Sequence, residues 1–284
     1  MQGRPLDIED VVNCKRAAKG SQPKRSQYDS GMPQNHLYIL TGASRGMGLA
    51  MAQQLLRSGN TLICIARSTN VDLSTEAKAA GVSITQWQQD LAQGEQAAHK
   101  LQSWLEAQGP AAFSSATLIN NAGMIPRIAP LSGSDTADLA TALRVGLEAP
   151  LQLTAAFLAA TDRWTVPRKV LNISSGLGRR AMASQAAYCA AKAGMDHFTR
   201  CVALDEALKP HGAKVCSLAP GVIDTDMQVQ LRGAAPEAFP DRQKFANLKS
   251  GGQLTSRADA AARVLAWLER ADFGTNPVAD VRDA

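Results

Sequence analysis

The chain has 284 residues, 45% of them hydrophobic and 19% charged, which is enough apolar material for a sizeable core and excludes wholesale disorder. No apolar run approaches the roughly 20 residues that a membrane-spanning helix needs, so an integral helical membrane protein is excluded. The formal net charge is +5, and residues 1–31, with six basic and four acidic side chains, carry +2 of it. So mild an excess gives no reason to expect a nucleic acid, since a small anionic ligand would account for it equally well.

Residues 1–33 are polar, hold Lys15, Arg16, Lys19, Lys24 and Arg25, and read as a flexible basic extension without the apolar centre of a signal peptide. Met32, just before the first strand-like run, is a second candidate start of translation. The five cysteines (Cys14, Cys64, Cys189, Cys201 and Cys216) form no C-x-x-C pair, and the four histidines are scattered. No metal site is therefore expected, and a reducing, cytoplasmic setting is.

From His36 onward apolar strands alternate with amphipathic helices. Strands are predicted at Leu37–Leu40, Thr61–Ala66, Val82–Trp87, Ala116–Ile119, Val170–Ile173, Lys214–Leu218 and Val278–Val281. Helices are predicted over Leu49–Arg57, Ala137–Ala160, Ala187–Ala207 and Ala258–Leu268. This order gives an α/β fold over residues 34–284, a single domain with a doubly wound parallel sheet covered by helices on both faces. Its ligands bind at the carboxyl ends of the strands. Residues 228–250, with Pro236, Phe239, Pro240 and Phe245, read as a mobile substrate lid.

The first strand runs directly into Thr41-Gly42-Ala43-Ser44-Arg45-Gly46-Met47-Gly48 and then a helix. Glycines at this spacing let the backbone turn tightly and approach a pyrophosphate, which the helix N-terminus receives with free N–H groups and the positive end of its dipole. Taken alone, the motif is equally an ordinary strand-to-helix turn. After the second strand, where an NAD site wants a carboxylate, stand Arg67 and Ser68, with no acid before Asp72. Two guanidiniums, Arg45 and Arg67, suit the 2′-phosphate of NADPH. Asp90 follows the third strand in position to accept from the adenine amino group. Asn120-Asn121-Ala122-Gly123 follows the fourth and either borders the cofactor ribose or is merely a turn.

Ser175 follows the fifth strand, and Tyr188 and Lys192 stand thirteen and seventeen residues beyond it, the latter two on one helix face. An ammonium beside a phenol lowers its pKa, which makes the tyrosine a usable acid or base for a carbonyl oxygen, with Ser175 as a donor to the same oxygen.

Together these residues resemble the short-chain dehydrogenase/reductase family. The likeness lies in Thr41–Gly48, Asp90, Asn120–Gly123, Ser175, the YCAAK run Tyr188–Lys192, and Pro220-Gly221-Val222-Ile223-Asp224-Thr225, and extends from residue 36 to the C-terminus. It implies a Rossmann-type fold and hydride transfer from a nicotinamide. By resemblance, Pro220, Gly221, Val222 and Thr225 hold the nicotinamide, Lys192 also binds its ribose, and the helix carrying Tyr188 pairs with a second subunit in a homodimer or homotetramer. The runs Asn172–Ser175, Tyr188–Ala193 and Ala219–Gln228 look most like the sepiapterin and benzil reductase branch, whose members reduce vicinal dicarbonyls with NADPH.

The pattern departs from the family twice. Gly146 occupies the place of an asparagine whose main-chain carbonyl holds a relay water, so the carbonyl is kept and the side chain is lost. Ser256 occupies the place of the aspartate that anchors a pterin, which disfavours a pterin substrate. The reading is an NADPH-dependent ketone reductase acting on a small carbonyl compound, with no nucleic acid and no membrane as partner. Gly146 leaves open the alternative of a catalytically weak, dinucleotide-binding regulator.

Overall fold

A computed structural model describes residues 35–283. The basic extension expected at 1–33 lies outside them. Seven parallel strands form one sheet in the order β3-β2-β1-β4-β5-β6-β7. They are β1 (His36–Thr41), β2 (Asn60–Ala66), β3 (Ser83–Gln88), β4 (Ser115–Asn120), β5 (Arg168–Ile173), β6 (Lys214–Ala219) and β7 (Val278–Asp280). Each predicted strand is present, with bounds within two residues.

Helices cover both faces because each strand is apolar on both. In β1, Leu40 packs into one layer with Met47 and Met51 of α1 (Gly46–Gln54) and Val264 and Leu268 of α9 (Arg257–Glu269). Leu37 and Ile39 pack into the other layer, with Leu101 and Leu105 of α3 (Gly94–Glu106) and Leu153 and Phe157 of α5 (Ala149–Ala160). Trp87, Trp104, Phe113 and Trp164 form an edge-to-face and stacked row in this second layer, so three of the tryptophans are core. α2 (Val71–Ala79) joins β2 to β3, and α6 (Ala186–Ala207) joins β5 to β6.

Strand order reverses between β1 and β4. Such a switch point splays the two connections apart and opens a crevice at the carboxyl ends of the strands. Thr41 ends β1 and Asn120 ends β4, so the glycine turn and the Asn-Asn-Ala-Gly turn form its two walls.

The helix expected over 137–160 is not continuous. It runs as α4 (Thr136–Leu143), a π-helical turn (Arg144–Glu148) and α5, with Ala149 N donating to Arg144 O five residues back. Gly146 is buried in the middle of that turn, which accounts for the local widening at a residue without a side chain. The region read as a lid is α7 (Asp226–Arg232) and α8 (Arg242–Ser250). It has its own small core, in which Phe239 is fully buried and stacks on Phe245. Among the described residues no helix is long and apolar enough to cross a membrane, and no group of three or more His, Cys, Asp or Glu side chains is placed to hold a metal ion.

Candidate active site

The glycine turn is built for a close approach. Gly42 and Gly46 have φ of +72° and +63°, conformations that glycine adopts without penalty. A Cβ on Gly48 would stand 2.1 Å from Gly42 O, so α1 reaches the turn only because this position is bare. A Cβ on Gly46 would meet nothing within 4 Å, which leaves open space above the N-terminus of α1. Asn121 holds the two walls of the crevice together: its N–H donates to Thr41 Oγ1 and its Nδ2 to Thr41 O, both at 2.9 Å. Ala122 N shares Thr41 Oγ1 at 2.9 Å. The Asn121 side chain is therefore already committed to β1, and it is Ala122 and the exposed Gly123 that face outward; a Cβ on Gly123 would lie 3.8 Å from Lys192 Nζ.

Arg67 and Ser68 are exposed at the end of β2, and Arg67 makes no ion pair among the described residues. Arg45 is also exposed, but it is engaged: its Nη1 donates to Asp226 Oδ2 at 2.7 Å, while Arg257 binds the other oxygen of Asp226 at 3.1 Å. An exposed pair of this kind is worth about 0–1 kcal/mol, so a phosphate could displace it at little cost. Ser44 is tied to the start of α2 through its carbonyl, which accepts from Asn70 Nδ2 at 3.3 Å. Asp90 caps the short turn Leu91–Gln93 by accepting from Ala92 N at 3.0 Å on Oδ1, which leaves Oδ2 for a ligand. Opposite, Gly221 has φ +84°, and the Pro220–Thr225 loop is pinned where Thr255 N donates to Val222 O and Asp224 N to Thr255 O. Thr225 begins α7 without using its hydroxyl as a cap. Ser256, by contrast, is a helix cap and accepts from Asp259 N at 3.0 Å.

Ser175, Tyr188 and Lys192 meet above the end of β5. Ser175 stands beside Tyr188 and pulls its pKa down, yet burial dominates and holds the Tyr188 pKa above its usual value. Lys192 is 4% exposed, donates to Ile173 O at 2.6 Å, and lies 5.8 Å from the centre of the Tyr188 ring. Its pKa is pushed down to about 8 by burial, against the opposing pull of Asp196. The expected lowering of Tyr188 by Lys192 is thus not seen: burial raises the phenol, Ser175 is the group that pulls it down, and Lys192 is turned to a carbonyl.

A buried polar frame holds this trio, and no sequence motif announced it. Asp196, one helical turn beyond Lys192, accepts from Ser174 Oγ and Ser217 Oγ at 2.6 Å each and from Arg179 Nε at 3.2 Å. Asn120 Nδ2 donates to Asn172 Oδ1 at 2.8 Å, and Asn172 Nδ2 to Thr199 Oγ1 at 2.9 Å, which ties β4 to β5 to α6. On the far side Tyr188 packs with Met182, Met227, Leu231, Phe239, Ile125 and Ile128, so the lid core and the phenol share one apolar cluster. The surface cavities of about 90 and 250 Å³ are lined by other residues, around Trp267 and around Lys209, and play no part in the site.

Residues 36–235 match the family described as short chain dehydrogenase. The chain belongs to the short-chain dehydrogenase family. Among its relatives, a benzil reductase ((S)-benzoin forming) from Bacillus cereus is 35% identical over 83% of this chain and 94% of its own. A sepiapterin reductase from Meriones unguiculatus is 31% identical over 86% and 95%. A crystal structure of a short-chain dehydrogenase/reductase from Burkholderia vietnamiensis, 30% identical, superposes with a TM-score of 0.59 over 89% of this chain and 99% of that one. Family membership makes the chain an oxidoreductase with a Rossmann-like fold, which takes precedence over the regulator reading.

Gly146 faces α6 at the base of the trio. A Cβ there would lie 3.1 Å from Ala191 Cβ, next to Lys192. Gly146→Asn is expected to lower the thermal midpoint by a few degrees, the usual effect of mild overpacking, while kcat stays within about tenfold because the backbone carbonyl is retained. Thermal unfolding and kcat on one ketone check this; loss of activity at an unchanged midpoint would show that the glycine itself is required.

Proposed function

We propose that this short-chain dehydrogenase reduces a ketone of the vicinal dicarbonyl class to an alcohol, with NADPH as the reductant. The observation that carries the reading is Tyr188, beside Ser175, one helical turn from Lys192, and set in an apolar cluster with Met227 and Leu231 of α7. Benzil, the substrate in the name of the Bacillus relatives, is an apolar vicinal diketone and suits such a wall.

The crevice fits a dinucleotide in that Gly46 leaves open space above the N-terminus of α1, while bare Gly42 and Gly48 let the turn, the helix and Asn121 close together beneath it. The N–H groups about Ser44, Gly46 and Met47 would receive the pyrophosphate, with Asp90 at the adenine and Ala122 and Gly123 at a ribose. Arg67, Ser68 and Arg45, the last released from Asp226, would hold the 2′-phosphate. Lys192 would reach the nicotinamide ribose, and Pro220, Gly221, Val222 and Thr225 the nicotinamide. When bound, NADPH would supply the hydride for the carbonyl carbon and leave as NADP. Ser175 and Tyr188 both donate to the carbonyl oxygen. As the carbon–oxygen π bond opens, the Tyr188 proton passes to that oxygen, and the Lys192 ammonium stabilises the phenolate left behind. Asp196 keeps Lys192 charged by offsetting part of its burial.

The test is NADPH consumption over a panel of diketones, benzil first; no turnover on any of them overturns the reading. The cofactor assignment is checked separately. kcat/KM with NADPH should exceed that with NADH by about ten- to a thousandfold, and Arg67→Ala should cut that ratio roughly tenfold or more, the value of one charge-assisted hydrogen bond. An unchanged ratio removes Arg67 from the site.

We place the enzyme in the cytoplasm as a homodimer or homotetramer. Leu143 of α4, Leu151 of α5, and Leu204 and Leu208 at the end of α6 are exposed apolar side chains on helices of one face of the sheet, which supports a symmetric interface there. Light scattering at micromolar concentration should give at least twice the 30.0 kDa chain mass. The chain mass itself would argue against assembly.

A further inference from the structure

Two amide side chains near the lid are buried without partners. Gln185, 1% exposed, stands at the N-terminus of α6, and neither Oε1 nor Nε2 of its amide has a hydrogen bond. Gln228 of α7 likewise leaves Oε1 unpartnered. Burying polar groups unpaired destabilises a fold, and a leucine of similar size at 185 would relieve it. The nearby buried polar groups Ser174, Asn172, Asp196, Thr199 and Ser217 are bonded, and Asn120, whose Oδ1 is unpartnered, still donates through Nδ2, whereas at Gln185 both ends of the amide are unpaired.

The surroundings of Gln185 indicate where a partner would come from. The segment 182–188 lies against the lid: Met182 and Tyr188 pack in the cluster with Leu231 and Phe239, and Ser184 Oγ donates to Ala238 O at 2.6 Å. Cys189 N donates to Gln185 O at 2.9 Å, so Gln185 already closes the first turn of α6, and positions 185 and 188 share a side of it. Gln228 belongs to the opposite wall, since it shares the buried face of α7 with Leu231, three residues on. The two amides flank the cluster around Tyr188, and their side chains bond neither each other nor any other described residue.

We propose that Gln185 is a specificity residue whose Nε2 donates to the second carbonyl oxygen of a vicinal dicarbonyl, the first being held by Tyr188 and Ser175. The inference rests on the ketone-reductase reading above. A carbonyl oxygen only accepts, and Gln185 holds a donor with no acceptor. The cluster side chains of the remaining wall (Ile125, Ile128, Met227, Leu231 and Phe239) are apolar and offer that oxygen nothing, and the atom that Gln228 buries unpartnered, Oε1, only accepts. The two oxygens of a vicinal dicarbonyl sit on adjacent carbons, so a donor one helical turn from Tyr188 meets the second while Tyr188 meets the first. A monoketone leaves the amide orphaned, and a buried group left unpaired is what discriminates between such substrates.

Benzil and deoxybenzoin differ only in that second carbonyl. Gln185→Leu is expected to lower kcat/KM for benzil by about ten- to a hundredfold and to change deoxybenzoin by less than about threefold. The thermal midpoint should hold or rise, because two unpaired buried atoms are gone; Gln185→Met, unbranched and without a donor, should behave the same way. Equal losses on both ketones, no loss on either, or a midpoint lowered by more than a few degrees overturns the proposal. Binding of the two ketones to the enzyme–NADP complex, read by tryptophan fluorescence quenching, separates this from the parent reading. If the parent protein prefers benzil and Gln185→Leu erases the preference, Gln185 holds the second oxygen even should no NADPH be consumed, a result that would sink only the reductase activity.

Discussion

Tyr188→Phe should lower kcat/KM for ketone reduction by about 10²–10⁴-fold, the usual worth of a positioned general acid. The substitution removes one oxygen and leaves the ring, which packs against Met182, Leu231 and Phe239, in place. The thermal midpoint should therefore hold while activity collapses, and NADPH affinity should change little. The pH profile supplies a second check. In reduction Tyr188 must carry its proton, and burial, by holding its pKa high, keeps it there at neutral pH. Lys192 must carry its charge to stabilise the phenolate, and its pKa is pushed down to about 8. Protonated Lys192 is the working form, so kcat for reduction should be flat below about pH 8 and fall above it. Activity of Tyr188→Phe within a few-fold of the parent would mean another group protonates the substrate, and Ser175, Tyr188 and Lys192 would no longer stand as a working unit.

Sheet and site differed in how far they could be read from the chain. The strands were legible because a parallel strand buried on both faces is apolar throughout, as Leu62–Ile65 and Val170–Leu171 are. The side-by-side placement of Tyr188 and Lys192 was legible because residues four apart on one helix share a face, while Ser175, after β5, was grouped with them by resemblance. The π-helical turn at Arg144–Glu148 was not, because Ala- and Leu-rich sequence on either side continues the helical pattern straight through it. Position 146 was notable only against the family pattern.

What escaped the sequence most completely is pairing across long separations. Arg45 and Asp226 are 181 residues apart, and only the fold brings the glycine turn against the start of α7. Asp196 carries no motif, yet it gathers Ser174 and Arg179 of the β5–α6 connection and Ser217 of β6. Asn121 was read as a cofactor neighbour, and its side chain turns out to brace β4 on β1. Both roles put asparagine beside the crevice, so sequence position alone does not separate them.

Gly48→Ala should be the most damaging single-methyl change in the cofactor turn. The new carbon would lie 2.1 Å from Gly42 O and 2.5 Å from Asn121 Nδ2. Gly42 O is backbone in a turn already held by Gly42 N donating to Ile65 O at 2.8 Å, so it has no flexible side chain with which to yield. Either α1 lifts from the sheet or the Asn121 brace breaks. The expected cost is about 3 kcal/mol or more, at the upper end of overpacking, with NADPH binding weakened by at least about a hundredfold. Gly46→Ala separates the two consequences. Its methyl would enter open space, so the fold should survive, losing only the roughly 1–2 kcal/mol of a left-handed φ. Gly81→Ala carries the same strain, φ +65° in open space, in the turn between α2 and β3 away from the crevice. Thermal unfolding should rank Gly46→Ala with Gly81→Ala and both well above Gly48→Ala. NADPH titration should part the first pair, with binding weakened in Gly46→Ala alone. Equal affinities for the two would mean that the open space over α1 does not receive the pyrophosphate, and the cofactor would have to enter the crevice by another route.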